Sequence, residues 1–221
     1  MKFKKNFKFV IAADGSAASG KTTGSKKISK KFGLNFLSSG LLYRYASYQI
    51  LKHKPQNKIS FLKRSFSSLK LKKLNKLKLH TPEISNHTSL IAKEKKIRTI
   101  LKLYQKKFAK KYKRVCIEGR DIGSVILPKA DIKFFFTCSL DVAARRRFAE
   151  LRKGNKEIRL SDVKKSLKIR NYRDKNRKNS PLIQAKDAVI VRTDKLNKSR
   201  MINYLSNVIK EKLKNKYGSR S

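Results

Sequence analysis

The sequence predicts an α/β fold, a five-stranded parallel sheet with helices on both faces, and three observations carry that expectation. An apolar run, Phe7–Ala13, leads into a glycine-bearing turn and then a lysine-rich amphipathic stretch ending at Phe32. Four more short apolar runs alternate with longer segments of helical period. Strands alternating with helices pair in parallel and are covered on both faces, which is why they read as nearly continuous apolar runs. With 221 residues, 39% of them hydrophobic, the chain is long and apolar enough to bury one such core.

In order, Phe7–Ala13 is the first strand and Gly20–Phe32 the first helix. Gly33 is its C-cap, because glycine tolerates the left-handed backbone there. Asn35–Leu37 is a second strand ending in Ser38-Ser39-Gly40, followed by a helix over Leu41–Leu51 with Tyr43 and Arg44 in its first turn. Residues 52–82 read as a small insert, helical or mixed: lysine-rich, with irregularly spaced leucines and no carboxylate between Asp14 and Glu83. Thr81-Pro82-Glu83 is a helix start, and a helical pattern runs on, with or without a break, to Phe108. Arg114–Ile117 and Asp131–Cys138 are the third and fourth strands. A basic helix, Asp141–Arg152, follows; Gly154–Leu160 is a mobile loop, and Ser161-Asp162 cap the next helix, through Lys175. Ala188–Val191 is the fifth strand and Lys198–Lys214 the closing helix, with Asn215–Ser221 frayed.

The formal net charge is +45, from 59 Lys and Arg against 14 Asp and Glu. Such an excess suits a polyanion, but the basic residues are spread along the whole chain without an aromatic-interleaved cluster. A solvated basic surface with weak, non-specific polyanion binding is expected, with no dedicated nucleic-acid partner. Cys116 and Cys138 lie inside apolar runs and read as buried, reduced thiols, while His53, His80 and His87 have no zinc-site spacing. The charged start, Met1–Lys5, precedes an apolar stretch too short for a signal peptide, and no stretch would span a membrane. A cytoplasmic monomer is the expectation.

The chemistry starts at Gly15-Ser16-Ala17-Ala18-Ser19-Gly20-Lys21-Thr22-Thr23, a G-x-x-x-x-G-K-T motif between a strand and a helix. Backbone N–H groups of such a loop cradle phosphates at a helix N-terminus, Lys reaches the terminal phosphates, and the hydroxyl of Thr22 ligates Mg2+. A triphosphate with Mg2+ is therefore the expected donor. An acceptor phosphate needs its own cations, and Arg44 and Arg120 follow strand ends that reach the same rim. The arginines of the basic helix, Arg145–Arg147, and the segment Arg170–Arg177 are placed to close over a transferring group.

Three motifs in order, Asp14–Lys21, Ser39-Gly40-Leu41-Leu42-Tyr43-Arg44 and Gly119-Arg120-Asp121-Ile122-Gly123-Ser124, together resemble the bacterial cytidylate kinases. So do Thr81–Ile84 with Ser89 and Arg98, and Arg170, Asp174 and Arg177 followed by Pro181-Leu182. The resemblance covers nearly the whole chain. It implies a nucleoside monophosphate kinase fold: a core (residues 1–50 and 110–221), an acceptor-binding insert (about 51–109) and a short lid (about 145–172). It implies phosphoryl transfer from MgATP to CMP or dCMP. It further implies that Ser38 or Ser39, Arg44 and Arg120 hold the acceptor phosphate. Ser89, Arg98 and Asp121 would read cytosine, and Asp174 with Arg170 the sugar side. Arg177 and one of Arg145–Arg147, with Arg146 the choice, would act on the transferring group beside Lys21. Ser38 and Glu118 stand where aspartate is usual in that family, and Ser16 where proline is usual. Thr22 takes a position where the family often has glycine, so either Thr22 or Thr23 meets the metal.

Other readings keep a place beside this one. A UMP, AMP or shikimate kinase shares the donor loop, although 81–98 and Gly119-Arg120-Asp121 favour cytidine. A GTPase would need Asn-Lys-x-Asp, which is absent, and a nucleic-acid-dependent ATPase an acidic pair where Glu118 stands alone. A basic nucleic-acid-binding protein with a vestigial phosphate loop is the remaining alternative.

Overall fold

Alternation along the first strand sends Phe9, Ile11 and Ala13 into one core cluster and Val10 and Ala12 into the other, so both sheet faces are covered. In the computed structural model, which describes residues 7–74, 76–154 and 156–218, the strands are β1 (Phe9–Gly15), β2 (Asn35–Ser38), β3 (Arg114–Gly119), β4 (Ile132–Thr137) and β5 (Val189–Arg192). All four pairings are parallel, in the order β2-β3-β1-β4-β5. β1 starts two residues later than predicted and runs two further, because the pairing with β4 continues to Gly15 opposite Phe136.

Helices α1 (Lys21–Phe32) and α9 (Lys198–Tyr217) cover the face bearing Phe9, Ile11, Phe134 and Phe136. Gly33 caps α1 at φ 61° with its N–H on the Ser29 carbonyl, as the sequence requires. The other face carries α2 (Ser39–His53), α3 (Lys58–Ser67), α4 (Leu71–Leu74), α5 (Pro82–Ile91) and α6 (Lys95–Lys111). The insert is thus helical. Leu62, Phe66, Leu74 and Ile91 join Val10, Val115 and Ile117 in one cluster, while Leu90, Leu103 and the lysines of residues 58–78 are exposed.

Caps set the boundaries. Ser38 accepts from Leu41 N and starts α2 two residues earlier than predicted. Thr81 caps α5 with Pro82 in its first turn, and the helical pattern to Phe108 breaks at Ala92–Glu94. Helices α7 (Leu140–Arg152) and α8 (Leu160–Asn176) pack against each other through a third cluster. Arg159, not Ser161 or Asp162, holds the cap position of α8; Asp162 lies in its first turn, where its charge meets the helix dipole. The expected frayed end from Asn215 is instead helical to Tyr217, whose hydroxyl donates to the Lys8 carbonyl at 2.7 Å. Residues 219–221, like Met1–Lys5, lie outside the described residues.

Cys116 is buried, with its thiol pushed up to about 12 by burial, and Cys138 is half-buried; both are free. No helix of the described residues is long and apolar enough to cross a membrane.

Helix α1 packs closely on the sheet at Gly24, where an added Cβ would lie 3.0 Å from the Phe136 ring and 3.1 Å from Leu205 on α9. Gly24→Val therefore overpacks the α1–β4–α9 junction and is expected to destabilise the fold by about 1–3 kcal/mol. The midpoint of urea unfolding checks it.

Candidate active site

The register of the parallel strands decides what meets at their carboxyl ends. Asp14 lies opposite Gly119, and Ser38 opposite Glu118, so the turns after β1, β2 and β3 share one rim. A cavity of about 680 Å3 opens there, within the range of small-molecule sites.

On the donor side, Gly15 must be glycine: a Cβ there would lie 2.2 Å from the Phe136 carbonyl oxygen. Ala18 takes a left-handed φ of 54° and Gly20 one of 81°, which turns the loop back on itself before α1. The loop is held from three directions. Thr193 Oγ1 donates to the Ser19 carbonyl at 2.9 Å, Lys21 Nζ to the Ser16 carbonyl at 3.0 Å, and Ala17 N to Asn171 Oδ1 on α8 at 3.2 Å. Ala17 itself sits in the α7–α8 cluster with Ala143, Ala144, Val163 and Leu167. Lys21 is buried, 3.9 Å from Glu118. Burial, and next the Arg120 cation, lower it to about 7.

Glu118, which the sequence analysis did not place in the site, is its central carboxylate. It accepts from Thr22 Oγ1 at 3.2 Å and from Ser38 Oγ. Thr22, Ser38 and Glu118 are hard oxygen donors beside the phosphate loop, a set that suits Mg2+ with phosphate and water completing its shell. Thr22 and Thr23 are both exposed on this turn, and among the described residues it is Thr22 that bonds to Glu118. Among the described residues no cluster of three His, Cys, Asp or Glu forms a metal cage, as a metal held largely by phosphates and water would not need one.

On the acceptor side, Ser39 and Arg44 are buried at the start of α2. Arg44 Nη1 donates to the Leu79 carbonyl at 3.0 Å and to Ser85 Oγ at 2.7 Å. Burial, followed by Arg170 and Arg147, lowers Arg44 to about 9, so it stays a cation at neutral pH. Arg120 is gripped twice: Nε to Asp174 at 2.7 Å and Nη1 to the Gly15 carbonyl at 2.8 Å. Deeper in, Arg98 pairs with Asp121 and lies over the Tyr43 ring at 5.7 Å. Burial pushes the Tyr43 hydroxyl up to about 12, so it is a neutral donor.

The site residues expected from the sequence mostly gather here. Arg177, expected beside the transferring group, lies 3.9 Å from Asp121 and 3.7 Å from Asp174, among the acceptor-side carboxylates. Its Nη2 is a buried donor without a hydrogen-bond partner among the described residues. Arg146 does not line the cavity; it donates to Thr193 Oγ1 and to the Thr193 carbonyl, both at 2.8 Å, behind the loop. Arg147 lines the cavity in its stead, pairing with Glu150. Ser89 is engaged by Arg173 Nη1 at 3.1 Å and donates to the Asn86 carbonyl. Arg170 faces Arg120, Arg147, Asp174 and Glu118, between the donor and acceptor cations.

The family described as Cytidylate kinase matches residues 11–211. A curated cytidylate kinase of Rickettsia akari is 34% identical over 96% of this chain and 95% of its own length. Another, from Thermosipho melanesiensis, is 34% identical over 92% of this chain and 98% of its own. Among solved structures, a gluconokinase from Sinorhizobium meliloti covers 98% of this chain and all of its own at a TM-score of 0.51 and 12% identity, a likeness of fold alone. A family match over nearly the whole chain, on a site with these motifs in place, shows that this chain belongs to the cytidylate kinase family.

Proposed function

We propose that the chain transfers the γ-phosphate of ATP to CMP or dCMP, giving ADP and CDP or dCDP, as a cytoplasmic monomer. The observation that supports this best is the shared cavity: the Lys21 loop at one end, Arg44, Arg120 and Arg170 in the middle, and the Arg98–Asp121 pair at the other. The helices of residues 51–109 wall the acceptor side, and the lid spans 145–172.

In-line phosphoryl transfer asks the protein for position and for positive charge on the equatorial oxygens. The loop N–H groups and Lys21 bind the donor phosphates. Thr22, with Ser38 and Glu118 beside it, would hold Mg2+, which would neutralise charge on those phosphates. Ser39, Arg44 and Arg120 receive the acceptor phosphate. Arg170 and Arg147, rather than Arg146, are the cations that flank the transferring group in this reading. Asp174 orients Arg120 and serves the sugar side, and Arg177 supports the base-reading carboxylate. Cytosine donates from N4 to the Asp121 carboxylate and accepts from Arg98 at N3 and O2. Uracil reverses the polarity at both N3 and the 4-position, leaving buried groups unpaired. Ser89 and Arg173 close this end from α5 and α8.

A coupled assay of ADP release against CMP, dCMP, UMP and AMP tests the reading; no turnover with either cytidine monophosphate overturns it. Lys21→Ala is expected to lower kcat/KM by at least about 100-fold while circular dichroism stays unchanged. Asp121→Asn is expected to lower the CMP-to-UMP preference by at least about tenfold, since an amide serves both polarities; an unaltered preference would remove Asp121 from base reading.

The Lys21 ammonium gives a pH signature. Its folded value, about 7, lies below the unfolded one of 10.5. Below pH 7 the burial penalty is therefore fully present, and it is relieved as pH rises towards 10.5, because the unfolded state then binds more protons. Nucleotide phosphates favour the ammonium, so ATP binding at pH 8.5, where the nucleotide is already deprotonated, is expected to take up a fraction of a proton. Calorimetric enthalpies in buffers of different ionisation enthalpy measure it, and Lys21→Ala should abolish the uptake.

A further inference from the structure

Asp14 is the last residue but one of β1, directly before Gly15 of the phosphate loop, and is 5% exposed. Its two carboxylate oxygens accept from Ile122 N at 2.8 Å and from Gly123 N at 2.7 Å. These are the first N–H groups of a π-helical turn, Ile122–Ile126, and such leading N–H groups have no partner within their own turn. The carbonyl of Asp121 accepts from Val125 N at 2.9 Å and Ile126 N at 3.1 Å. Asp121 is thus held on both sides, by the turn through its own C=O and by Asp14 through the next two N–H groups. In the other direction Arg120 Nη1 donates to the carbonyl of Gly15, the residue after Asp14. The turn has no slack: a Cβ on Gly123 would lie 3.1 Å from the Lys133 stem and 3.4 Å from Asp14 Oδ2.

A fold that needed only an acceptor here would not keep a charge. Burial raises the Asp14 carboxyl to about 6, against the pull of the Gly123 and Ile122 N–H groups; the charged neighbours are Asp121, which adds to the rise, and Lys21, which opposes it. A carboxylate alone offers two coplanar acceptors to two consecutive N–H groups. We propose that Asp14 is a positioning residue for acceptor recognition: by capping the Ile122–Ile126 turn it fixes Asp121 and Arg120, and ties the acceptor reader to the donor loop. This rests on the reading of the site as a CMP or dCMP kinase.

The test is Asp14→Asn in the full chain. Asparagine keeps one acceptor and turns an amide N–H towards the other backbone N–H, which leaves one buried donor unsatisfied. Hydrogen–deuterium exchange of the 119–127 segment in the ligand-free protein should become at least about tenfold faster, with the β4 segment unchanged. KM for CMP should rise, and CMP-to-UMP preference fall, by about tenfold or more, while KM for ATP stays within about threefold. Unchanged exchange, or unchanged CMP-to-UMP preference, overturns the proposal. An equal rise in KM for ATP would mean that Asp14 shapes the donor loop, and also overturns it. If neither Asp14→Asn nor Asp14→Ser folds, Asp14 is a determinant of the fold and the proposal falls. Wild-type protein inactive on CMP would instead refute the kinase reading, and the exchange experiment tells these two failures apart.

Discussion

Like charges crowded into one cavity are the constraint on which the rest of the structure depends. Lys21, Arg44, Arg120, Arg147 and Arg170 line a single space, and their mutual repulsion is legible in Lys21 and Arg44, where it adds to burial in lowering both. Such a cluster is stable only if carboxylates and carbonyls hold each cation apart from the next. Glu118 lies beside Lys21, Asp174 holds Arg120, and the Leu79 carbonyl with Ser85 holds Arg44. These partners neutralise only part of the charge. The remainder is a field in place before any polyphosphate arrives, which is what phosphoryl transfer requires of a protein that performs no covalent step itself.

Positioning follows from two rigid connections. The sheet register brings the turns after β1 and β3 side by side, where Asp14 and Arg120 link them in opposite directions. The second connection is the α7–α8 pair, whose small-residue core admits Ala17 from the crown of the phosphate loop. Asn171 satisfies the Ala17 N–H, one residue from Arg170 and one turn from Asp174. Helix α8, which carries Arg170, is therefore seated on the phosphate loop. A shift of α8 moves both substrates' partners together, and misplacement of even about 1 Å is enough to lose much of the rate.

This division explains what was legible in the sequence. The five strands could be read because parallel strands buried on both faces have to be apolar throughout, and the phosphate loop because its glycines answer to steric limits at Gly15 and Gly20. The Arg98–Asp121 and Arg120–Asp174 pairs were reachable only through motifs, since 23 and 54 residues separate the partners. Three successive arginines on a weakly amphipathic helix give no phase, so nothing in the sequence tells Arg147, on the cavity, from Arg146, on Thr193. Asn171 and Asp14 bond to backbone N–H groups far along the chain, and a backbone partner leaves no trace in residue identity. The insert was opaque for another reason: it is broken into short helices, α3, α4 and α5, so its leucines keep no single helical period.

Ser38 and Glu118 form one feature. Ser38 caps α2 through Leu41 N, a task serine performs as well as aspartate, so the helix that presents Arg44 keeps its start. Having no charge of its own, Ser38 donates its hydroxyl to Glu118, which lies opposite it in the β2–β3 register. A second carboxylate at this point would repel the first; the hydroxyl orients it. The glutamate also reaches Thr22 on the donor loop, so a single carboxylate spans the two strand ends. The negative charge beside Lys21 is thereby concentrated on one residue, and Ser38 and Glu118 are coupled: replacing either one alone leaves the other without the partner that fixes its place.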